Sequence, residues 1–156
     1  MEKYLIQSTF NVLEDTPLVK QKQENIILGV IGGSKASFWT KQTIQKNIVE
    51  RLVKQFGKKP DMILLPNDGN TSIFIEIWAQ KQEIPVAVYD ADWIKLGRRA
   101  RAIRDSRIQK EATHLVYFFG NRSDYYENAA IREVKKGKEV YSVDPESHEL
   151  SQVDLE

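Results

Sequence analysis

The chain has 156 residues, 41% hydrophobic and 29% charged, a composition that excludes disorder and suits one domain with an ordinary core. Its 23 basic and 22 acidic residues nearly cancel, which argues against a protein that coats nucleic acid non-specifically. It has no cysteine, which rules out a thiol nucleophile, a disulfide framework and a cysteine zinc site, and with only His114 and His148 a Ser-His-Asp triad or histidine-rich metal site is a poor fit.

No stretch approaches the ~18 apolar residues of a membrane span. Met1 to Thr9 lacks the basic-then-apolar layout of a signal peptide. The expectation is a cytoplasmic protein with no membrane partner.

The first 24 residues do not join the rhythm that follows, and residues 1–25 are read as an N-terminal extension. Asn25 to Ile31 is a short apolar run ending in Gly32-Gly33-Ser34, which suits a strand buried on both faces. A helical period follows, with Ile44, Ile48, Val49, Leu52, Val53 and Phe56 on one face and Gly57 just past its end. Met62 to Leu65 is a second strand, stopped by Pro66 and Asn67-Asp68-Gly69. A helix is expected from about Ser72 to Gln82, apolar on most sides and so well covered.

Pro85 to Tyr89 is a third strand, with proline tolerated at its first residue. A basic segment, Asp90 to Ala112, is expected to be helical in its second half. Leu115 to Phe119 is a fourth strand, ended by Gly120-Asn121. A helix from about Asp124 to Lys136 carries Tyr126, Ala130 and Val134 at helical spacing. Glu139 to Val143 is a fifth strand, ended by Asp144-Pro145. The acidic tail, 144–156, reads either as a final strand or as disordered.

Strands alternating with helices read as β-α-β units. The fold class is therefore α/β: a Rossmann-like three-layer sandwich with a mostly parallel sheet of about five or more strands, its core over about 26–143. Right-handed crossovers put helices on both faces.

In such a sheet, ligands bind outside the carboxyl ends of the strands, where the strand order reverses. In Rossmann order that point lies between the first and fourth strands. Two loops meet there: Gly32-Gly33-Ser34-Lys35 and Gly120-Asn121-Arg122-Ser123. Free N–H groups and the helix dipole suit such turns to anions, and glycine allows close approach of a phosphate. The same residues also serve a plain tight turn, and that reading stays open. The fingerprint G-x-G-x-x-G is absent, so NAD bound in the usual way is not expected, and no cofactor or metal is assigned.

A second feature is Lys95 to Arg107, with five arginines and one lysine in 13 residues. Arginine offers a planar fork suited to phosphate. Arg104 and Arg107, three apart, share one helix face. A solvated charge run is the alternative reading. The run follows the third strand, which places it at the ligand-binding end of the sheet.

These residues resemble the YspA-type branch of the SLOG superfamily, Rossmannoid domains related to the LOG phosphoribohydrolases and to the DNA-processing protein DprA. The resemblance runs collinearly over about 26–143. Gly32-Gly33-Ser34-Lys35 matches a strand ending in Thr-Gly-Ser-Arg. Asp68-Gly69-Asn70 and Trp78-Ala79 match a Gly-rich turn and a helix ending in Trp-Ala. Ile84-Pro85-Val86 and Ala91-Asp92-Trp93 match an Ile-Pro-Val strand leading to Ala-Asp-Trp, and Asp92-Trp93 with Arg104 is the most specific part.

Set against the LOG enzymes, Arg104 falls on an arginine before their fourth-strand equivalent. Gly120 and Glu127 then fall on the first glycine and the glutamate of their Pro-Gly-Gly-x-Gly-Thr-x-x-Glu signature. One of its three glycines is kept, and Asp124 stands for the threonine. The resemblance implies a nucleotide or nucleotide-derived phosphate ligand held by Gly32, Gly33, Ser34, Lys35, Asp68, Gly69, Asn70, Asp92, Arg98, Gly120, Asn121, Arg122 and Ser123. Arg104 and Glu127 would act on an N-glycosidic bond in an enzymatic version, where a carboxylate stabilises developing positive charge. Two other readings stay open: a DprA-like nucleic-acid-binding module, with Tyr89 and Trp93 available to stack on bases, and a non-catalytic homo-oligomerising scaffold with a degenerate pocket.

Overall fold

The computed structural model describes residues 25–32, 40–118, 123–144 and 146–155. Of the expected N-terminal extension, residues 1–24 lie outside these, as does Phe119 at the expected end of the fourth strand. The strands are β1 (Ile27–Gly32), β2 (Met62–Pro66), β3 (Val86–Tyr89), β4 (His114–Phe118), β5 (Glu139–Val143) and β6 (Leu150–Gln152). They form one sheet in the order β3-β2-β1-β4-β5-β6. The first five pair in parallel, and β6 pairs with β5 antiparallel. The apolar run from Asn25 therefore lies in the sheet's interior, as its two-sided hydrophobicity requires.

A π-wound segment, Thr43–Val49, runs directly into α1 (Glu50–Phe56). This helix ends at Gly57, whose φ of 81° is the left-handed conformation that glycine adopts without strain. α2 spans Gly69–Lys81, starting earlier than the expected Ser72. A single turn, α3 (Trp93–Leu96), and a 3₁₀ turn, Gly97–Arg99, lead into α4 (Ala100–Glu111). α5 spans Ser123–Lys135.

Side chains alternate across a strand, so each strand feeds two cores. Leu28, Val30, Ile63, Leu65, Val116 and Phe118 pack with Ile44, Ile48, Leu52, Ile75 and Trp78 on one face. Ile31, Leu64, Leu115, Tyr117 and Val140 pack with Ile108 and Ala112 of the α4 segment, and with Tyr126, Ala129 and Ala130 of α5, on the other. The result is a three-layer α/β sandwich around a six-stranded, mostly parallel sheet.

Gly29 lets α4 lie close to the sheet. A Cβ there would sit 2.8 Å from Ile108 Cγ2 and 2.9 Å from both Ala112 Cβ and Leu115 Cδ2. Not every apolar residue of α2 is covered: Ile73 is 52% exposed, contrary to the expectation from its composition.

Of the two readings of the tail, strand is what residues 150–152 adopt. Asp144 Oδ1 accepts from the backbone N–H groups of Glu146 (2.8 Å) and Ser147 (2.9 Å), which turns the chain back along β5. These bonds hold its carboxyl below the usual aspartate value. Among the described residues, no helix is long and apolar enough to cross a membrane.

Candidate functional site

Each helix that follows a strand in a parallel unit runs back against it. The first turns of α2, α4 and α5 therefore lie at the carboxyl ends of the strands, on the rim where the site was expected. The order reverses between β1 and β4, and Gly32 and Phe118 pair at the end of those two strands. Gly32 has φ of +83°, and a Cβ on it would lie 2.5 Å from the Phe118 carbonyl oxygen. Only glycine fits there. Of the two loops expected to meet at this point, Gly33, Ser34 and Lys35, and Gly120, Asn121 and Arg122, lie outside the described residues, while Ser123 opens α5.

Next to the switch point is a buried ionic cluster drawn from two chain segments. Asp68 follows β2 at the N-cap of α2, with extended backbone (φ −161°, ψ 150°). Its carboxylate makes no capping bond to the helix. It turns instead to α4, where Arg104 Nη1 donates to Asp68 Oδ2 (3.1 Å) and Arg101 Nη2 lies 3.7 Å from the same oxygen. Arg104 Nε and Nη2 both donate to Asp105 Oδ1, at 3.1 and 3.0 Å. Arg104 and Asp105 are each only 3% exposed. Burial raises the Asp105 carboxyl above the ordinary aspartate value, and the charge and hydrogen bonds of Arg104 oppose that rise.

The guanidinium of Arg104 is thus engaged at all three nitrogens by protein carboxylates. Arg107, expected on the same helix face, is exposed, with its Cζ 5.0 Å from the centre of the Tyr89 ring. The i, i+4 series Ala100, Arg104, Ile108 is the buried stripe of α4, and Arg107 falls outside it.

In front of the cluster is a cleft of about 180 Å³ lined by Arg98, Arg99, Arg101, Asp105, Tyr125 and Tyr126. Arg98 and Arg99 are exposed and come from the 3₁₀ turn, whereas the tyrosines come from the first turn of α5. The tyrosine rings meet edge to face, with centroids 5.4 Å apart. Burial raises the Tyr126 hydroxyl above the usual tyrosine value, and the nearby Asp105 adds to the shift.

A smaller pocket of about 100 Å³ lies on the β2–α2 side, lined by Asp68, Ser72 and Glu76 with Ile73 and Val88. Asp68 Oδ1 and Ser72 Oγ are buried there without a hydrogen-bond partner among the described residues. Asp68 thus borders this pocket while its other oxygen holds Arg104.

The structure brings together Asp68, Arg101, Arg104 and Asp105, and places Arg98 on the adjoining cleft. It does not bring Asp92, Asn70 or Glu127 into that group. Asp92 is exposed and caps α3, its Oδ1 accepting from the Lys95 N–H (3.1 Å). Asn70 is exposed on the first turn of α2, beside Gly69 with φ of 83°. Glu127 is exposed on α5, one residue past Tyr126.

Asp105, Tyr125 and Tyr126 were not among the residues singled out as ligand contacts. A usable signal existed for Asp105: the Ala100, Ile108, Ala112 spacing puts the Arg104-Asp105 pair against the sheet. Among the described residues, no group of three or more His, Cys, Asp or Glu side chains is placed to hold a metal ion.

Compared with protein-family models, curated proteins and solved structures, the chain has no match in any of the three.

Proposed function

We propose that this domain binds a nucleotide or nucleotide-derived phosphate ligand in the cleft between the 3₁₀ turn and α5. The observation that carries the reading is the convergence of three arginines, two tyrosines and a buried carboxylate on one cleft at the carboxyl ends of the strands. Arginines suit phosphate and tyrosine rings suit a planar base. Because Arg104 is held by Asp68 and Asp105, the phosphate contact passes to Arg98, Arg99 and Arg101. Arg104 then acts as the internal strut that fixes the wall of the site. The SLOG-like resemblance supports the same ligand class from independent residues.

The enzymatic version of this reading is hydrolysis of a nucleotide N-glycosidic bond, and it requires Glu127, which is exposed on α5 outside the cleft lining, to reach the ribose. Calorimetry with AMP, ADP-ribose and NAD, alongside an assay for free base, separates the cases. Binding without base release defines a sensor. Base release abolished by Glu127→Gln defines a phosphoribohydrolase. Absence of binding by all three ligands removes the proposal.

One observation favours a second reading. Trp93 is 51% exposed beside the arginine run, with Arg101 Cζ 5.7 Å from its ring centre. Such a pair is a stacking platform for single-stranded nucleic acid. Binding of that kind weakens steeply with salt, which a titration over ionic strength detects.

A further inference from the structure

The Asp105 carboxylate is used unevenly. Oδ1 takes both donors from Arg104, at 3.1 and 3.0 Å. Oδ2 is buried and has no hydrogen-bond partner among the described residues. Arg104 has no nitrogen left that is not already directed at a carboxylate, and Arg101 directs Nη2 at Asp68 while its Nε is itself buried without a partner among the described residues. A carboxylate oxygen removed from water without a donor is unfavourable, so the site is incomplete as it stands. The same side chain, 4% exposed, lies on the wall of the arginine–tyrosine cleft.

That cleft, at about 180 Å³, is smaller than the ~300–1,000 Å³ of sites that enclose a whole drug-sized ligand. It admits one ring system, with anything larger left at the exposed Arg98 and Arg99. Its wall is aromatic and its rim cationic, and its unsatisfied groups are the Asp105 Oδ2 acceptor and the Arg101 Nε donor, the second of which suits the phosphate. The complementary ligand is a planar ring that carries an N–H donor inward and a phosphate outward.

We propose that Asp105 determines base specificity: its Oδ2 accepts a hydrogen bond from the exocyclic amine of an amino-bearing nucleobase such as adenine, and disfavours the corresponding oxo base. This inference rests on the nucleotide reading above and goes beyond it by naming the base and the group that reads it.

AMP and IMP test it, since they differ at one position, amine against carbonyl. For one hydrogen bond to a charged acceptor the expected preference for AMP is about tenfold or more. Asp105→Asn is the matching variant. Its amide oxygen still accepts from Arg104, while its NH₂ replaces the free acceptor with a donor. The expected result is that the Asp105→Asn variant loses the AMP preference or inverts it, with IMP binding kept. An unchanged ratio overturns the assignment. N6,N6-dimethyl-AMP, which has no amine N–H, supplies a measurement on the unaltered protein. It is expected to bind about tenfold or more weakly than AMP, and equal binding overturns the assignment whatever the variant does. Wild-type protein that binds AMP and IMP equally overturns the specificity and leaves the nucleotide reading standing. Wild-type protein that binds neither overturns both.

Discussion

Arg104 and Asp105 are adjacent in sequence and paired in space. The guanidinium donates twice to one oxygen of its neighbour, Asp105 Oδ1, and its remaining nitrogen crosses to Asp68 at the end of β2. This ties α4 to the β2–α2 turn through a buried charge. Removing one partner of such a group leaves an uncompensated charge in the interior, at a cost of about 3–5 kcal/mol. Arg104→Ala is therefore expected to lower stability by that order in urea denaturation. Arg104→Lys, which keeps the charge but not the fork, should lose less. An Arg104→Ala protein as stable as wild type would mean that the pair is solvated.

Gly32 and Gly29 carry different constraints on one strand. At Gly32 a Cβ would meet a backbone carbonyl at 2.5 Å with φ at +83°, so neither neighbour nor backbone can yield cheaply. At Gly29 the neighbours are three side-chain atoms at 2.8 to 2.9 Å, and overpacking of that kind costs about 1–3 kcal/mol. Both alanine substitutions should destabilise, Gly32→Ala more than Gly29→Ala. Thermal melting of the two variants checks the order.

The titration of Asp105 gives a signed expectation. Burial raises its carboxyl above 3.8, with Arg104 and Arg101 opposing the rise and Asp68 reinforcing it. Tyr126 also faces the group, with its own hydroxyl raised. A carboxyl raised by folding contributes stability that is present below the unfolded value and lost as pH rises through the folded value. Asp105→Asn does not titrate. The stability of wild type relative to Asp105→Asn should therefore fall between acidic and neutral pH. Chemical denaturation of both proteins at several pH values measures this, and a difference that rises with pH would contradict it.

The phosphate contact is assigned to residues that leave the core untouched. A hydrogen bond from arginine to phosphate is worth about 1.5–3 kcal/mol, or about 10–150-fold in affinity. Arg98 and Arg99 are exposed, so solvent screening places the expected loss toward the lower end. Arg98→Ala and Arg99→Ala should each weaken AMP binding by about tenfold in calorimetry, with an unchanged melting temperature.

Most of the fold is legible in the sequence because buried parallel strands are short continuous apolar runs. Leu28 to Ile31, Ile63 to Leu65 and Leu115 to Phe118 carry that mark. β6 is not, since Leu-Ser-Gln has no pattern of its own and is held by its neighbour β5. The start of α2 is missed because Asn67-Asp68-Gly69 reads as a turn that ends the strand, although Asp68 is a residue type favoured at an N-cap. The site is less legible for a related reason. A charge run reads as one solvated face until the apolar residues on the same helix are counted. Ala100, Ile108 and Ala112 assign Arg104 and Asp105 to the interior and leave Arg98, Arg99 and Arg107 outside. Residue type alone suggested a phosphate contact at Arg104; packing gives it three protein acceptor bonds instead.

The most direct measurement is a crystal structure of the protein grown with AMP. The expected result is density in the Arg98–Tyr126 cleft, with the phosphate on Arg98, Arg99 or Arg101, the base against Tyr125 or Tyr126, and its amine directed at Asp105. Density confined to the Asp68–Ser72 pocket, or a clear cleft from crystals grown at saturating AMP, would contradict it.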